Sequence, residues 1–364
     1  MARGLAVGDS ALGAIAGAFG FARLITNVPA GLFITHRLHL ALFIGAGLVS
    51  LGIVCMGFGQ PYALLIAGRG LCGMGHSITL LAGITAILRF TPHNRRGRSL
   101  AAYDMSSMLG VLGGMLLVGY IPAGTSWNVA LLLASAPQFV SLALTAAAAR
   151  TIPRDPGAIK PFFSRGSAHS DSHTRRKSLS EVALLAFFSG FAIALAWSSV
   201  GHFILPLRAD RDFHLDREGV AWLLAIPQVV DVLAVVPTGA LGDRTSHSRL
   251  LGVTLLLLAA GVISVAFGPL HAAVAGCVLF GLGLAGWMLP VALLNSEAST
   301  QSASWRTSLY RVAVDLGVFL GPVLAGLFAG IGLVEPFVAV MAAFIAALGF
   351  LSLLRGDKLR RDGR

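Results

Sequence analysis

The chain of 364 residues is 56% hydrophobic and only 12% charged, with a mean hydropathy of +0.80. A soluble chain carries about a quarter charged residues, so this composition excludes a water-soluble globular fold and points to an all-α polytopic membrane protein. The net charge of +11 sits mostly in short segments between apolar runs, which makes it a topology signal and argues against nucleic-acid binding.

The start, MARGLAVGDSALG, carries Asp9 where a signal peptide would be basic, so no cleavable signal is expected. Eleven apolar spans follow. In chain order they cover 10–34, 40–59, 62–88, 99–121 and 128–149, then 182–207, 219–241, 249–268, 272–295, 307–331 and 334–354. At 1.5 Å per residue each is long enough to cross a hydrocarbon core of about 30 Å. Between them, basic loops (35–39, 89–98, 150–181, 242–249, 296–306 and the tail from Arg355) alternate with nearly uncharged turns such as 57–62 and 122–128. Of the 27 Lys and Arg residues, only Arg3, Arg208, Arg211 and Arg217 fall on the other side, and Arg23, Arg69 and Arg311 fall inside spans. By the positive-inside rule the basic side is cytoplasmic, which predicts a plasma-membrane protein with a cytoplasmic linker and C-terminus. The stretch 151–180, rich in Ser, Arg, His and Pro, reads as a flexible linker. It separates an N-terminal bundle, 1–150, from a C-terminal bundle, 182–364. Cys55, Cys72 and Cys277 lie in apolar spans without metal-ligand spacing and read as packing residues.

The two halves repeat. At an offset of 208, Pro29 and Gly31 match Pro237 and Gly239, and Gly73 and Gly75 match Gly281 and Gly283. At 207, Tyr103, Gly110, Gly114 and Gly119 match Tyr310, Gly317, Gly321 and Gly326. Matched glycines imply matched close helix contacts, and parallel repeats of this size build transporters with the substrate site between the halves. Shifted back by 208, the span 182–207 falls before Met1. The chain therefore reads as a 5+6 arrangement lacking its first helix, through a misassigned start codon or a truncation.

Three motifs carry a family resemblance. The segment Pro237-Thr-Gly-Ala-Leu-Gly-Asp-Arg244 resembles the Gly-x-Leu-x-Asp-Arg signature of the major facilitator superfamily. Arg69 followed by Gly73 and Gly75, and Arg311-x-x-x-Asp315-x-Gly317-x-x-x-Gly321-Pro322, are also similar to motifs of that family. The resemblance implies two bundles rocking about a central site. It also implies that the span 10–34 touches 307–331 and that 99–121 touches 219–241. Its acidic and basic loop residues, here Asp243, Arg244, Glu297 and Arg306, would lock the basic side shut in one state. The matching first-half loop keeps Gly31 and Arg37 but has Thr35 for the acid, and Arg89 stands where Glu297 stands in the second half, so the first-half lock should be weaker. The span 99–121 lacks the proline of the family's antiporter signature, which counts against drug antiport.

Ionisable groups inside a span mark function by default. Arg23 and Asp231 occupy matching places, each 12 residues from its loop and so roughly 18 Å deep. If the spans 10–34 and 307–331 touch, Arg23 can pair with Asp315, as a moving gate or as a static brace. The span matched to Asp231 has no basic residue at its depth, so Asp231 is the expected proton carrier, with capping by Gln228 or a serine as the structural alternative. Asp104 and Arg311 also match in position, and Arg311 lies one turn from Asp315. Arg69 with His76, then Trp197, Ser198 and His202, then Trp287 and Met288, are the candidate substrate contacts; snorkelling and core packing are the alternatives.

The leading reading is a monomeric secondary active transporter that exports a small amphipathic compound coupled to protons. Uptake of an organic anion through Arg23, Arg69 and Arg311 is the rival. A non-transporting sensor or inactive relic is the alternative outside that class. No catalytic set, metal ligands or phosphate loop before a Lys is present, so no enzyme activity and no cofactor are expected. The implied partners are a small-molecule substrate, protons and the lipid bilayer.

Overall fold

The computed structural model describes residues 7–58, 61–92, 95–122, 124–151, 181–296 and 300–362. Among them there are helices and no strands, and eleven stretches are long and apolar enough to cross a membrane. The helices are α1 (Asp9–His36), α2 (Leu38–Phe58), α3 (Tyr62–Phe90), α4 (Arg96–Tyr120), α5 (Trp127–Ala134), α6 (Ala136–Thr151) and α7 (Glu181–Ala196). After them come α8 (Leu205–Arg211), α9 (Arg217–Arg244), α10 (His247–Phe267), α11 (Leu270–Leu284), α12 (Leu289–Ser296), α13 (Thr300–Gly330) and α14 (Val334–Asp362). Every predicted span is present.

Three spans are interrupted, and a proline follows each interruption. Pro137 has no N–H, so the span 128–149 breaks at Ser135 between α5 and α6. Pro290 breaks the span 272–295 into α11 and α12, with turns over 285–288. Pro206 follows a π-helical stretch, Trp197–Ile204, that joins α7 to α8. A ring widened there relieves the clash between the proline ring and the carbonyl four residues earlier.

Contacts divide the chain into two units. One comprises 18–107 and 126–178. Here α2 and α3 pack backbone to backbone: a Cβ on Gly68 would lie 2.7 Å from the Gly52 carbonyl oxygen, and one on Gly75 would lie 2.7 Å from the Val49 amide nitrogen. Ala30, Ile34, Leu38, Ala41, Ile78 and Ala82 form its buried core. The Gln138 amide donates to the Ala46 carbonyl at 3.2 Å and so ties α6 to α2.

The other unit comprises 1–17, 108–125 and 179–364. Its core runs through α7, the π-helical stretch, α10, α11 and α14. Ser248 and Ser352 each donate to the other's backbone carbonyl at 2.7 Å, clamping α10 to α14.

The repeat is visible inside each unit. Gly73 lies against the Phe19 carbonyl, and Gly281 lies against the Pro227 carbonyl, with both partners shifted by 208. A Cβ on Gly281 would sit 2.5 Å from that oxygen and 2.8 Å from the Val230 Cβ. Gly281→Val and Gly73→Val are each expected to destabilise the fold by about 1–3 kcal/mol through overpacking, read as a lowered melting temperature of the purified protein in detergent.

One pair of matched positions differs. Gly317 and Gly321 pack on α7, with a Cβ on each 2.6 Å from the Phe191 carbonyl oxygen and 2.9 Å from the Leu195 carbonyl oxygen respectively, and Ser198 donates to the Gly317 carbonyl at 3.1 Å. Their counterparts Gly110 and Gly114 would have nothing within 4 Å of a Cβ at either position. The reason lies in the repeat: the described residues hold no counterpart of α7 for them to meet.

At the end away from the basic loops, first-half helices pack on second-half ones within this unit. Gly13 and Gly17 of α1 lie against Pro322, Val323 and Gly326 of α13. Arg211 grips Asp9 through two hydrogen bonds of 2.6 and 2.9 Å. Gly119 of α4 lies against Ala221 of α9, and the Arg217 guanidinium donates to the carbonyls of Ile121, Pro122 and Thr125 at 2.9–3.1 Å. These are the two helix pairings that the family resemblance implies.

Candidate functional site

The interruptions after α7 and α11 bring aromatic side chains together. Trp197 opens the π-helical stretch, and His202 closes back on it: the rings stand 4.1 Å apart, and His202 Nδ1 lies 3.0 Å from the Trp197 carbonyl oxygen. Trp287, in the turns over 285–288, meets Trp197 edge-on at 6.1 Å. The Tyr310 hydroxyl donates to the Trp287 carbonyl at 3.4 Å, and the Tyr310 ring lies against Gly190. Met288 beside it is 54% exposed. Paired aromatic faces of this kind suit a flat or cationic apolar molecule. Widened helical turns also recur at functional sites.

Ser198, beside Trp197 in the chain, faces another way. It is buried and donates to the Ala194 and Gly317 carbonyls, holding α7 to α13. Ser199 likewise donates to Leu195. Of the residues that sequence reasoning grouped in this half, Trp197, His202 and Trp287 come together, Met288 adjoins them, and Ser198 turns to helix packing.

Asp231 stands half-buried in α9, one turn beyond Pro227. The interruption at 285–288 begins one turn beyond Gly281, which is packed against Pro227. Since α9 and α11 run in the same direction, the carboxyl group and the aromatic cluster lie at one level of the unit. Asp315 is wholly buried in α13, and Arg311 is half-buried one turn before it.

The other unit gathers basic groups around a ring. Phe19 has the Arg69 guanidinium 5.0 Å and the Arg23 guanidinium 5.8 Å from its centroid, with the His76 ring at 5.5 Å. Ser77 hydrogen-bonds the Asn27 side chain beside them. Sequence reasoning singled out Arg23, Arg69 and His76 but missed Phe19, Asn27 and Ser77. Phe19 precedes Arg23 by four residues, so helical spacing was the available signal. Asp104 is exposed on α4.

Of the lock residues, Gly31 is half-buried, and Arg37, Gly239 and Arg244 are exposed at the basic end. Glu297 lies outside the described residues, as do the side chains of Asp243 and Arg306. The three cysteines are free thiols, and Cys72 packs against the Val49 carbonyl.

A family model for the Major Facilitator Superfamily matches residues 1–204 and again 182–363. The chain belongs to this superfamily. The two matches overlap over residues 182–204. The chain is 24% identical over 345 residues to a multidrug resistance protein B homolog of Mycobacterium tuberculosis, covering 78% of this chain and 62% of that relative's length. It is 25% identical over 384 residues to the vesicular acetylcholine transporter of Rattus norvegicus, covering 96% of this chain and 68% of that protein. Among solved structures, the fold matches a peptide transporter POT in complex with sulfate at a TM-score of 0.75, with 14% identity and 99% and 89% of the two chains covered. It matches the E. coli fucose:proton symporter at 0.60, with 16% identity and 95% and 90% covered. At these identities the structures establish the superfamily's fold alone. The chain is thus a multi-pass membrane protein of a transporter family.

Proposed function

We propose that this chain is a secondary active transporter of the plasma membrane that exports a small amphipathic compound by alternating access, coupled to proton entry. In this reading the basic loops, the linker and the C-terminus are cytoplasmic, the halves 1–150 and 182–364 move as bundles, and the protein acts as a monomer. Asp231 carries the proton, with Asp315, Arg23, Arg311 and Asp104 as the further ionisable groups along the spans. Arg69 and His76 contribute substrate contacts from the first half. The lock motif comprises Gly31, Arg37, Gly239, Asp243, Arg244, Glu297 and Arg306.

The observation that carries the proposal is the aromatic cluster of Trp197, His202 and Trp287, held in two broken spans at the level of a carboxyl group. The relative named for multidrug resistance supports the direction of transport. Proton-driven uptake of a fluorescent amphipathic cation into inverted membrane vesicles tests it, and absence of any uptake would leave the non-transporting reading. Trp287→Ala is expected to weaken binding of that dye about tenfold, the loss of one aromatic face, measured by equilibrium binding to purified protein.

A second reading has its own observation. Two guanidinium groups and an imidazole gathered on Phe19 suit a carboxylate or phosphoryl group. Uptake of an organic anion that is lost in Arg69→Gln, with dye transport absent, would establish it instead.

A further inference from the structure

At the basic end of the second half a groove of about 550 Å³ runs between the end of α9, the start of α10 and the end of α14. Leu241, Leu250 and Val253 form its apolar wall, with Leu241 and Val253 about half exposed. Arg244, Thr245, Ser246 and Arg249 form its polar rim. We propose that this groove binds one anionic phospholipid of the adjoining leaflet, its phosphate between Arg244 and Arg249 and the head of one acyl chain along Leu241, Leu250 and Val253.

The walls are built to stay in place. The Ser248–Ser352 clamp fixes α10 against α14 immediately below the rim. Gly252 lies against Leu353 and the Gly349 carbonyl, closing the same helix pair. The stem of Arg249 lies across Gly356, where a side chain would displace it. Thr245 folds back on α9, its hydroxyl donating to the Leu241 carbonyl at 2.7 Å.

Charge decides the occupant. The linker between the halves and the C-terminal tail are both basic: the linker holds Arg154, Lys160, Arg165, Arg175, Arg176 and Lys177, and the tail holds Lys358, Arg360, Arg361 and Arg364. Either would bring like charge to Arg244 and Arg249. A lipid phosphate brings the opposite charge and an apolar body that fits the wall. Basic pockets between spans on the cytoplasmic side suit lipid headgroups, because each Lys or Arg near an anionic surface adds to the attraction.

The test is native mass spectrometry of the purified full chain titrated with phosphatidylglycerol, phosphatidylcholine and phosphatidylethanolamine. Phosphatidylglycerol is expected to be retained about tenfold better than either of the others. Arg249→Gln should lower that preference about fivefold, and Arg244→Gln with Arg249→Gln should abolish it. Val253→Trp, which fills the groove and keeps both charges, should abolish it too, and serves as the readout if the double variant does not fold. Arg150→Gln, an exposed arginine elsewhere at the basic end, should leave it unchanged. Equal retention of the three lipids, or an equal loss in Arg150→Gln, would overturn the proposal in favour of diffuse surface charge. Displacement of phosphatidylglycerol by millimolar inorganic phosphate would overturn the lipid as occupant.

Discussion

Asp231→Asn is expected to lower proton-driven dye uptake in inverted vesicles at least 100-fold while leaving dye binding within about threefold of the parent. Asn keeps the volume of Asp and its ability to accept a hydrogen bond, so the packing of α9 on α11 at Pro227 and Gly281 should survive. What it removes is the carboxyl group at the level of the aromatic cluster, the proton carrier of the proposed mechanism. An exchanger without its proton site loses the driving force and keeps the substrate site. The measurement is initial uptake rate against an imposed pH gradient: the parent rate should rise with the gradient, and the variant should show no dependence on it. Dye binding by Trp fluorescence in detergent separates loss of coupling from loss of the site. If Asp231→Asn transports at the parent rate, the coupling group lies elsewhere, and Asp315, wholly buried in α13, is the next carboxyl to replace. If binding falls together with uptake, Asp231 belongs to the substrate site and its role as a separate proton carrier is wrong.

The spans were legible because their signal is local. A run of apolar residues bounded by charge says the same thing whatever surrounds it, and all eleven reappear as helices. The repeat was legible for the same reason, since Gly73 and Gly281 need no partner to be matched in sequence. What each glycine touches was not legible: Gly317 and Gly110 are equivalent in the repeat, yet only the first has a helix against it. The interruptions were half legible. Pro137, Pro206 and Pro290 were in view, but a proline in a span can kink, break or widen a helix, and tertiary packing selects among these. That choice decided the site. Reading 182–207 as a regular helix puts Trp197, Ser198 and His202 on a helical wheel of 100° steps. The widened turns of Trp197–Ile204 change the phase, so His202, five residues on, folds back on Trp197, while Ser198 at the start of the stretch faces α13. Phe19 escaped notice because a phenylalanine in an apolar span carries no signal by itself. Its meaning comes from the two arginines that structure brings to its ring.

Gly13→Leu is expected to cut transport about 100-fold without unfolding the protein, which separates it from Gly281→Val. Both positions allow no side chain: a Cβ on Gly13 would lie 2.8 Å from Gly326 Cα, and one on Gly281 would lie 2.5 Å from the Pro227 carbonyl oxygen. The difference is what each contact joins. Gly281 packs helices of one half, so relief of the clash means loosening a bundle. Gly13 packs a first-half helix on a second-half helix at the end away from the basic loops. In a transporter that opens at both ends, this contact must part and re-form in each cycle, and packed contacts of this kind have discrete arrangements rather than graded ones. A leucine at Gly13 removes the closed arrangement and leaves each bundle intact. The Asp9–Arg211 pair at the same end, with Arg211 45% exposed, contributes at most about 1 kcal/mol, so Asp9→Asn should have a much smaller effect. The readout is thiol accessibility. With Cys55, Cys72 and Cys277 replaced by serine, Val323→Cys faces Gly17 in the closed contact. An impermeant maleimide applied from that end should label it slowly in the parent and much faster in Gly13→Leu, with the melting temperature little changed. Unaltered labelling together with parent-like transport would show that the contact between α1 and α13 does not open in the cycle and that the glycines there serve only to bring two helices close.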